Sequence, residues 1–403
     1  MNYFKKFAQN IFSIKNLNND KIFTILGMQF KRKNTTRIFE QQLFDLYLTL
    51  NAKTNNKYKS LKDFKGTAVI DLWKNIPTDI EHLLPDVKFL ESNEENYIQA
   101  NNYFIWGTHF RQSRYELLQR AIYLNKPIYT LECGFLYSAD TFANISCDKK
   151  YKTAVSYVVD SVVPYYDARF ASNLEQMIND ETLVITDEQK QRARRCIDKI
   201  VETHLTKYNH QPIFEPKIGR DGAKKVLVID QSYGDMSIAK GWGCEDTFKT
   251  MLECAIKENP DADIIVKTHP DTMTGNRGGY YTGLKQHDNI YTQTEPINPI
   301  SLIKYVDKVY VCTTQFGFEA LMCGKEVRVF GMPFYAGWGL TQDEQICERR
   351  TNKRSLEEIF YLAYILYSYY INPETKQVCE IEDAMDYLLD LREEYRQLKE
   401  GNK

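Results

Sequence analysis

Thr313-Thr314-Gln315-Phe316-Gly317-Phe318-Glu319-Ala320-Leu321, then Gly324-Lys325, then Phe330-Gly331-Met332-Pro333-Phe334-Tyr335-Ala336-Gly337-Trp338-Gly339-Leu340-Thr341, is the stretch that decides the fold. The β-branched run before it, 308–311, predicts a strand. Residues 316–322 predict a short helix with Gly324 at its C-terminal cap. Residues 327–330 predict the next strand. A strand, a hydroxyl-rich turn and a helix N-terminus together suit an anion, because free backbone N–H groups face the turn. Glu319, one turn inside, is placed to accept hydrogen bonds from sugar hydroxyls. The alternative is an ordinary strand-turn-helix with a threonine cap. The second half of the stretch favours a ligand: three glycines and four aromatics in twelve residues read as a shaped loop rather than a core element.

Outward from that stretch the chain alternates strands and helices. Residues 226–229 and 263–266 predict strands, 245–258 a helix, and 299–306 a helix capped by Asn298 with proline at its first position. Two strand ends carry chemistry: Gln231-Ser232-Tyr233-Gly234-Asp235-Met236-Ser237 and Lys267-Thr268-His269-Pro270. Asp235 reads either as a catalytic carboxylate or as a turn former. Lys267 and His269 would stabilise the charge of a departing phosphate ester. Upstream, residues 68–72, 103–106, 128–131 and 155–159 predict strands. Residues 113–124 predict a helix with Ser113 and Glu116 as a capping box, and 187–205 a charged helix. Glu132 and Asp160 stand at strand ends. Asp167 follows within Pro164-Tyr165-Tyr166-Asp167-Ala168-Arg169. These acids either serve a cleft, cap helices or pair with Arg169.

This alternation predicts an α/β architecture with ligands at the carboxyl ends of parallel strands. The expected division is a first β/α unit over 1–210, a linker over 211–224, a nucleotide-sugar unit over 225–345, and closing helices over 346–403. Within the last, residues 355–371 predict a nearly all-apolar helix opened by a Ser355–Glu358 capping box, and 381–398 an amphipathic one. Residues 3–14 predict a basic amphipathic helix: Lys5, Lys6, Lys15, Lys21, Lys31, Arg32, Lys33 and Arg37 face only Asp20 and Glu40 over the first forty positions. It is either a contact with anionic inner-membrane lipid or a solvated first helix.

Composition bounds the function. The 403 residues are 43% hydrophobic and 26% charged, with a formal net charge of −2, so nothing points to nucleic acid. Nine cysteines without CxxC spacing indicate neither a zinc site nor a disulfide framework, and fit a cytoplasm. No apolar run reaches the roughly 20 residues a membrane span needs. Phosphate-binding glycine motifs and a nucleophile elbow are missing.

The motifs T-T-Q-x-G-F-E-A-L, F-G-x-P-F-Y-A-G-W-G, Q-x-x-x-D-x-S-I (Gln231, Asp235, Ser237, Ile238), K-x-H-P and E-x-G-F (Glu132 to Phe135) resemble the bacterial capsule β-Kdo transferase family, over roughly residues 107–341. Kdo is 3-deoxy-D-manno-octulosonic acid. The resemblance implies a two-unit GT-B fold with the site in the cleft. It implies retaining transfer of Kdo from CMP-β-Kdo to a saccharide or glycolipid acceptor, alongside other capsule biosynthesis proteins and without metal or cofactor. Asp235 would be the nucleophile and Asp160 the general base. Gln231, Lys267, His269, Thr313, Thr314, Gln315, Glu319 and Pro333 would surround the nucleotide. Glu132, Arg169, Tyr335 and Trp338 would meet the sugars. Another CMP-activated nonulosonic acid as donor, or an inactive binding partner, are the rivals.

Overall fold

The computed structural model describes residues 12–17, 20–25, 28–33, 41–42, 44–46, 48–50, 64–72, 79–109, 111–141, 144, 146–268 and 278–401. Its core is two β/α units of the GT-B type. In the second unit the strands β9 (Lys225–Ile229), β10 (Asp263–Lys267), β11 (Ile290–Gln293), β12 (Lys308–Val311), β13 (Glu326–Val329) and β14 (Gln342–Asp343) form one sheet in the order β11-β10-β9-β12-β13-β14. Every pairing in it is parallel. The strands β9, β10 and β12 are buried at every position, as strands covered on both faces must be.

The first unit is a seven-stranded sheet. Its strands are β4 (Gly66–Asp71), β5 (Val87–Leu90), β6 (Asn102–Trp106), β7 (Ile128–Cys133), β8 (Ser156–Asp160), β15 (Ser368–Asn372) and β16 (Gln377–Cys379), in the order β16-β15-β8-β7-β6-β4-β5. From β5 to β7 the pairing is parallel. β8 then runs antiparallel to β7, with Asp160 opposite Thr130, and β15 runs antiparallel to β8. This reversal corrects the expectation of parallel strand ends at Glu132 and Asp160. Asp160 sits level with the interior of β7, below the end that carries Glu132.

Three further expectations change. Residues 355–371 are not one helix. Ser355 and Glu358 do form the capping box of α8 (Leu356–Phe360), and one π-turn follows at Tyr361–Leu366. Ser368–Asn372 then leaves as β15, because Ser-Tyr-Tyr-Ile is β-prone and covers the otherwise open edge of β8. Helix α1 (Gln112–Tyr123) has Arg111 at its N-cap and no side-chain cap; Ser113 instead donates to Asp71 Oδ1 at 2.6 Å. At the amino end, Phe12–Leu17 is a strand (β1) paired antiparallel with β2 (Asp20–Ile25), itself paired with β3 (Met28–Lys33). The expected helix over 3–14 therefore fails at Phe12–Ile14, and its earlier residues lie outside the described ones.

The largest apolar cluster joins the two units. It includes Phe135, Ile197, Leu227, Phe334 and Tyr364, contributed by the first sheet, helix α3 (Asp187–Thr203), the second sheet, the aromatic loop and the closing elements. One ion-pair group reinforces the junction. Glu175, buried on α2 (Asn173–Asn179) in the first unit, accepts from Arg350 Nε at 3.0 Å and Arg349 Nε at 2.9 Å. Arg350 Nη1 in turn donates to the carbonyls of Pro333 and Ala336 at 2.6 and 2.7 Å, and its guanidinium lies 5.3 Å from the Trp338 ring. Removing one partner of such a pair strands a buried charge. Glu175→Gln should therefore cost about 3–5 kcal/mol of stability, read as a lower denaturation midpoint; an unchanged midpoint would show that the junction does not depend on this pair.

Candidate active site

The second sheet brings three loops to one edge. β9 is flanked by β10 on one side and β12 on the other, so the chain turns in opposite directions from it. A crevice opens at such a switch point, outside the carboxyl ends of the strands. β9 ends in Asp230-Gln231, β10 in Lys267-Thr268, and β12 leads into Thr313-Thr314-Gln315.

The loops lock to one another. Gln231 is buried and clasps Thr313: its Oε1 accepts from Thr313 N at 2.9 Å, and its Nε2 donates to Thr313 Oγ1 at 3.1 Å. Ser237 Oγ lies 3.4 Å from the same hydroxyl. Close approach demands glycine around Thr313; a Cβ on Gly331 would stand 2.5 Å from Thr313 Cγ2, and one on Gly241 2.6 Å away. Gln231 and Thr313 thus frame the pocket rather than offering free groups to a ligand. Asp230, which sequence reasoning passed over, is 1% exposed and accepts from the backbone of Gln231, Tyr280 and Tyr281.

Asp235 is half-buried and is the N-cap of the short helix α4 (Met236–Lys240); its Oδ1 accepts from Ser237 N at 2.8 Å. The turn-forming role is therefore real, and it fixes the carboxylate at the strand end. Lys267 is 7% exposed, donates to Glu295 O at 3.2 Å, and burial pushes its pKa down to about 8. His269 lies outside the described residues.

Helix α7 (Phe316–Met322) begins at Gln315, with no side-chain cap. Its first N–H groups are already used: Phe316 N donates to Thr314 Oγ1, Gly317 N to Thr314 O, and Phe318 N to Gln315 O. The helix end is consequently a weak anion site, and positive charge in the crevice comes from side chains. Glu319 is 4% exposed; burial raises its pKa to about 7, opposed by the Lys207 backbone N–H and ammonium and by Gln315. Gln315 Nε2 donates to Phe135 O at 2.8 Å across the junction, while its Oε1 is buried without a partner.

The aromatic loop differs from expectation. Tyr335 and Trp338 are fully buried, and Pro333 is buried too. Tyr335 Oη donates to Thr314 O at 2.7 Å, and Trp338 Nε1 to Phe334 O at 2.8 Å. Their polar atoms are satisfied by the chain itself, so these rings build the floor of the crevice and do not face a sugar. The glycines shape this packing, with Gly337 and Gly339 at φ of +86° and +92°.

In the first unit, Glu132 is half-buried at the end of β7 and accepts from Tyr166 Oη at 3.0 Å; that hydroxyl lies 3.1 Å from Thr108 Oγ1 at the end of β6. Burial raises the Glu132 pKa, opposed by Lys207, Tyr166 and Arg114. Tyr165 and Tyr166 lie within electrostatic reach of both Glu132 and Asp235. Asp160 does not join them. It is 1% exposed and accepts from Val162 N, Val163 N, Asn173 N and Tyr367 Oη. Burial raises its pKa to about 7, and its bonds hold the loop that carries Tyr165 and Tyr166. Arg169 is likewise engaged: Nε and Nη2 grip Asp167 at 2.8 and 2.7 Å. Asp167 and Asp45 also flank Lys240 of α4, at 3.7 and 3.0 Å, which ties the units beside Asp235.

Residues 220–374 match the family described as capsule polysaccharide biosynthesis protein. The KpsC β-Kdo 2,4 transferase of Thermosulfurimonas dismutans superposes with a TM-score of 0.72 at 36% identity, over 80% of this chain and 97% of that one. The β-Kdo 2,7 transferase of the same KpsC gives 0.57 at 26% identity, over 81% and 100%. The capsule polysaccharide modification protein LipA of Neisseria meningitidis serogroup A is 40% identical over 282 residues, which are 68% of this chain and 39% of LipA. The chain thus spans about two fifths of that relative's length. A third of the residues shared across nearly the whole of a solved transferase chain, with the same architecture, makes this protein a member of the bacterial capsule polysaccharide Kdo transferase family.

Proposed function

We propose that the protein is a retaining β-Kdo transferase of capsule or surface polysaccharide biosynthesis, moving Kdo from CMP-β-Kdo to a saccharide or glycolipid acceptor. The observation that carries this reading is the 36% identity over 97% of the solved β-Kdo 2,4 transferase chain, together with Asp235, Lys267 and Glu319 gathered around one strand-end crevice. Another CMP-activated nonulosonic acid is the second reading, since it presents the same nucleotide and the same acidic carbon. Among the described residues no helix is long and apolar enough to cross a membrane. A lipid-linked acceptor would then be met at the surface of the inner membrane.

Two displacements give retention. The Asp235 carboxylate attacks the anomeric carbon, the bond to the CMP phosphate breaks, and a covalent sugar adduct forms. The acceptor hydroxyl then attacks the same carbon, its proton passes to a base, and Asp235 leaves as carboxylate. Lys267 and His269 receive the charge that gathers on CMP, and no metal is invoked for that step. Thr314, Gln315 and Glu319 line the nucleotide side. The base is Glu132 rather than Asp160: it lies within electrostatic reach of the same tyrosines as Asp235, and its raised pKa suits proton uptake. Asp160 acts as a positioning residue for the tyrosine loop.

Asp235→Ala should abolish transfer and leave CMP affinity within about twofold, since it removes the reacting carboxylate and its cap to Ser237 N but no group assigned to CMP. Intact mass spectrometry after CMP-Kdo alone should show one added sugar on the wild type and none on the variant. An adduct that survives in Asp235→Ala would move the nucleophile elsewhere.

Glu132→Gln should slow single-turnover transfer from a preformed adduct by roughly 10²–10⁴-fold, the range for a lost general base, with adduct formation unchanged. Asp160→Asn should instead lower the melting temperature. If Asp160→Asn keeps wild-type stability and fails only in the acceptor step, the two roles are exchanged.

The Lys267 ammonium is charged below about pH 8 and neutral above it. Its contribution to phosphate binding is therefore present at pH 7 and lost as the pH rises. Calorimetry with CMP from pH 7 to 9.5 should show affinity falling about tenfold per unit once the group has titrated, the slope for one required proton. Lys267→Met should bind weakly and without that slope; a sloping variant would point to another group.

A further inference from the structure

We infer that the space over Gly107 is the acceptor subsite, where Glu132 and Arg114 hold two neighbouring oxygens of one saccharide. This rests on the transferase reading above and concerns its second displacement.

Three adjacent parallel strands of the first unit end there. β4 ends at Asp71, β6 leads into Gly107, and β7 carries Glu132. Ligands of such sheets collect outside the carboxyl ends of the strands. Gly107 has a φ of +68°, which by itself calls for glycine. A Cβ placed on it would stand 3.1 Å from Glu132 Oε1 and 4.0 Å from Arg114 Nη1; chain neighbours aside, no other atom of the described residues comes within 4.0 Å. A carboxylate and a guanidinium thus border one open space. They do not pair across it: among the described residues, the ion pair of Arg114 is with Asp71.

Each charge is held back from the other. Arg114, 2% exposed in the first turn of α1, donates from Nε to Asp71 Oδ2 at 3.0 Å and from Nη1 to His109 O at 2.7 Å. Its Nη2 is buried without a partner among the described residues. A guanidinium carries five N–H groups, and buried donors are seldom left unpaired, so this side chain has hydrogen bonds still to give. Glu132 is held from the other direction by Tyr166 Oη at 3.0 Å. Opposite charges fixed apart across a gap suit two oxygens of different role: a hydroxyl that donates to the carboxylate, and a neighbouring oxygen that accepts from the guanidinium. Adjacent oxygens on one ring are what a saccharide presents. The hydroxyl on Glu132 is the one that receives the sugar; its proton passes to Oε1 as its oxygen bonds the anomeric carbon and the Asp235 carboxylate leaves. The tyrosine loop is also bonded to the helix of that nucleophile, since Ala168 N donates to Lys240 O of α4 at 3.0 Å. One short loop therefore couples the subsite to the element that Asp235 caps.

Wild type, Gly107→Ala and Arg114→Lys, each checked by thermal melting, are to be assayed with CMP-Kdo and octyl glycosides of Kdo, glucose, galactose and N-acetylglucosamine. The glycoside that the wild type uses fastest then serves all three. Gly107→Ala fills the space, while Arg114→Lys keeps the charge beside Asp71 and removes the Nη donors. Both should lose about ten- to a hundredfold in kcat/KM for the acceptor, the worth of one hydrogen bond to a charged group, with KM for CMP-Kdo within about twofold. The decisive acceptor lacks the oxygen next to the hydroxyl that receives the sugar. The wild type should lose on it by the same factor, and Arg114→Lys should show no further loss. Wild-type kinetics in either variant, or a deoxy penalty that persists in full in Arg114→Lys, would overturn the subsite. So would a wild type that forms the sugar adduct and transfers it to none of the glycosides. If intact mass spectrometry shows no adduct from CMP-Kdo on the wild type, the donor reading fails first and the subsite falls with it.

Discussion

Glu175 and its two arginines are the constraint on which the rest of the molecule depends. The carboxylate belongs to the first unit; Arg349 and Arg350 follow the aromatic loop of the second. Arg350 fastens the carbonyls of Pro333 and Ala336 and covers Trp338. The loop in turn sets Thr314 through Tyr335 and crowds Thr313 against Gly331. The position of the strand-end crevice relative to the first unit is thereby tied to this buried ion pair. Hydrogen bonds to charged groups in such a site are worth roughly 1.5–3 kcal/mol each, and losing one partner exposes the full desolvation cost of the other.

Around that junction, burial divides the acids by task. Asp160 and Glu319 are both enclosed and both hold a proton to about pH 7. Asp160 reaches that state while accepting four hydrogen bonds from its own loop and from Tyr367. Glu319 reaches it beside Lys207 and the crossover chain. Asp235 is half-buried and capped by a single backbone N–H, so one of its oxygens stays free for chemistry. The same residue type is therefore closed off as scaffold in one place and left with an open lone pair in another, according to how many of its lone pairs the fold has claimed.

The β/α alternation, the strand before Thr313, the helix 316–322 and the Asn298 and Ser355 caps were all legible in the sequence, because each is set by contacts within about a turn of its own residues. The family motifs likewise marked the loops that meet at the crevice. Tyr335 and Trp338 were misread as ligand contacts. Aromatic and glycine residues in one loop signal close packing, but the pattern is silent on whether the partner is a sugar or the chain's own carbonyls.

By itself the sequence determined a two-unit β/α enzyme, its strand-end loops, and the presence of Asp235, Lys267 and Glu319 at those ends. Only the tertiary structure decided which groups are free. β8 runs antiparallel, so Asp160 is drawn into the sheet, while Glu132 stays at the end of β7 and accepts from Tyr166. Residues 355–371 break into a helix, a π-turn and a strand because the edge of β8 needs a partner that no local preference reveals. Local patterns fix which residues lie at a strand end; strand direction, burial and hydrogen-bond accounting across distant segments fix what those residues can do.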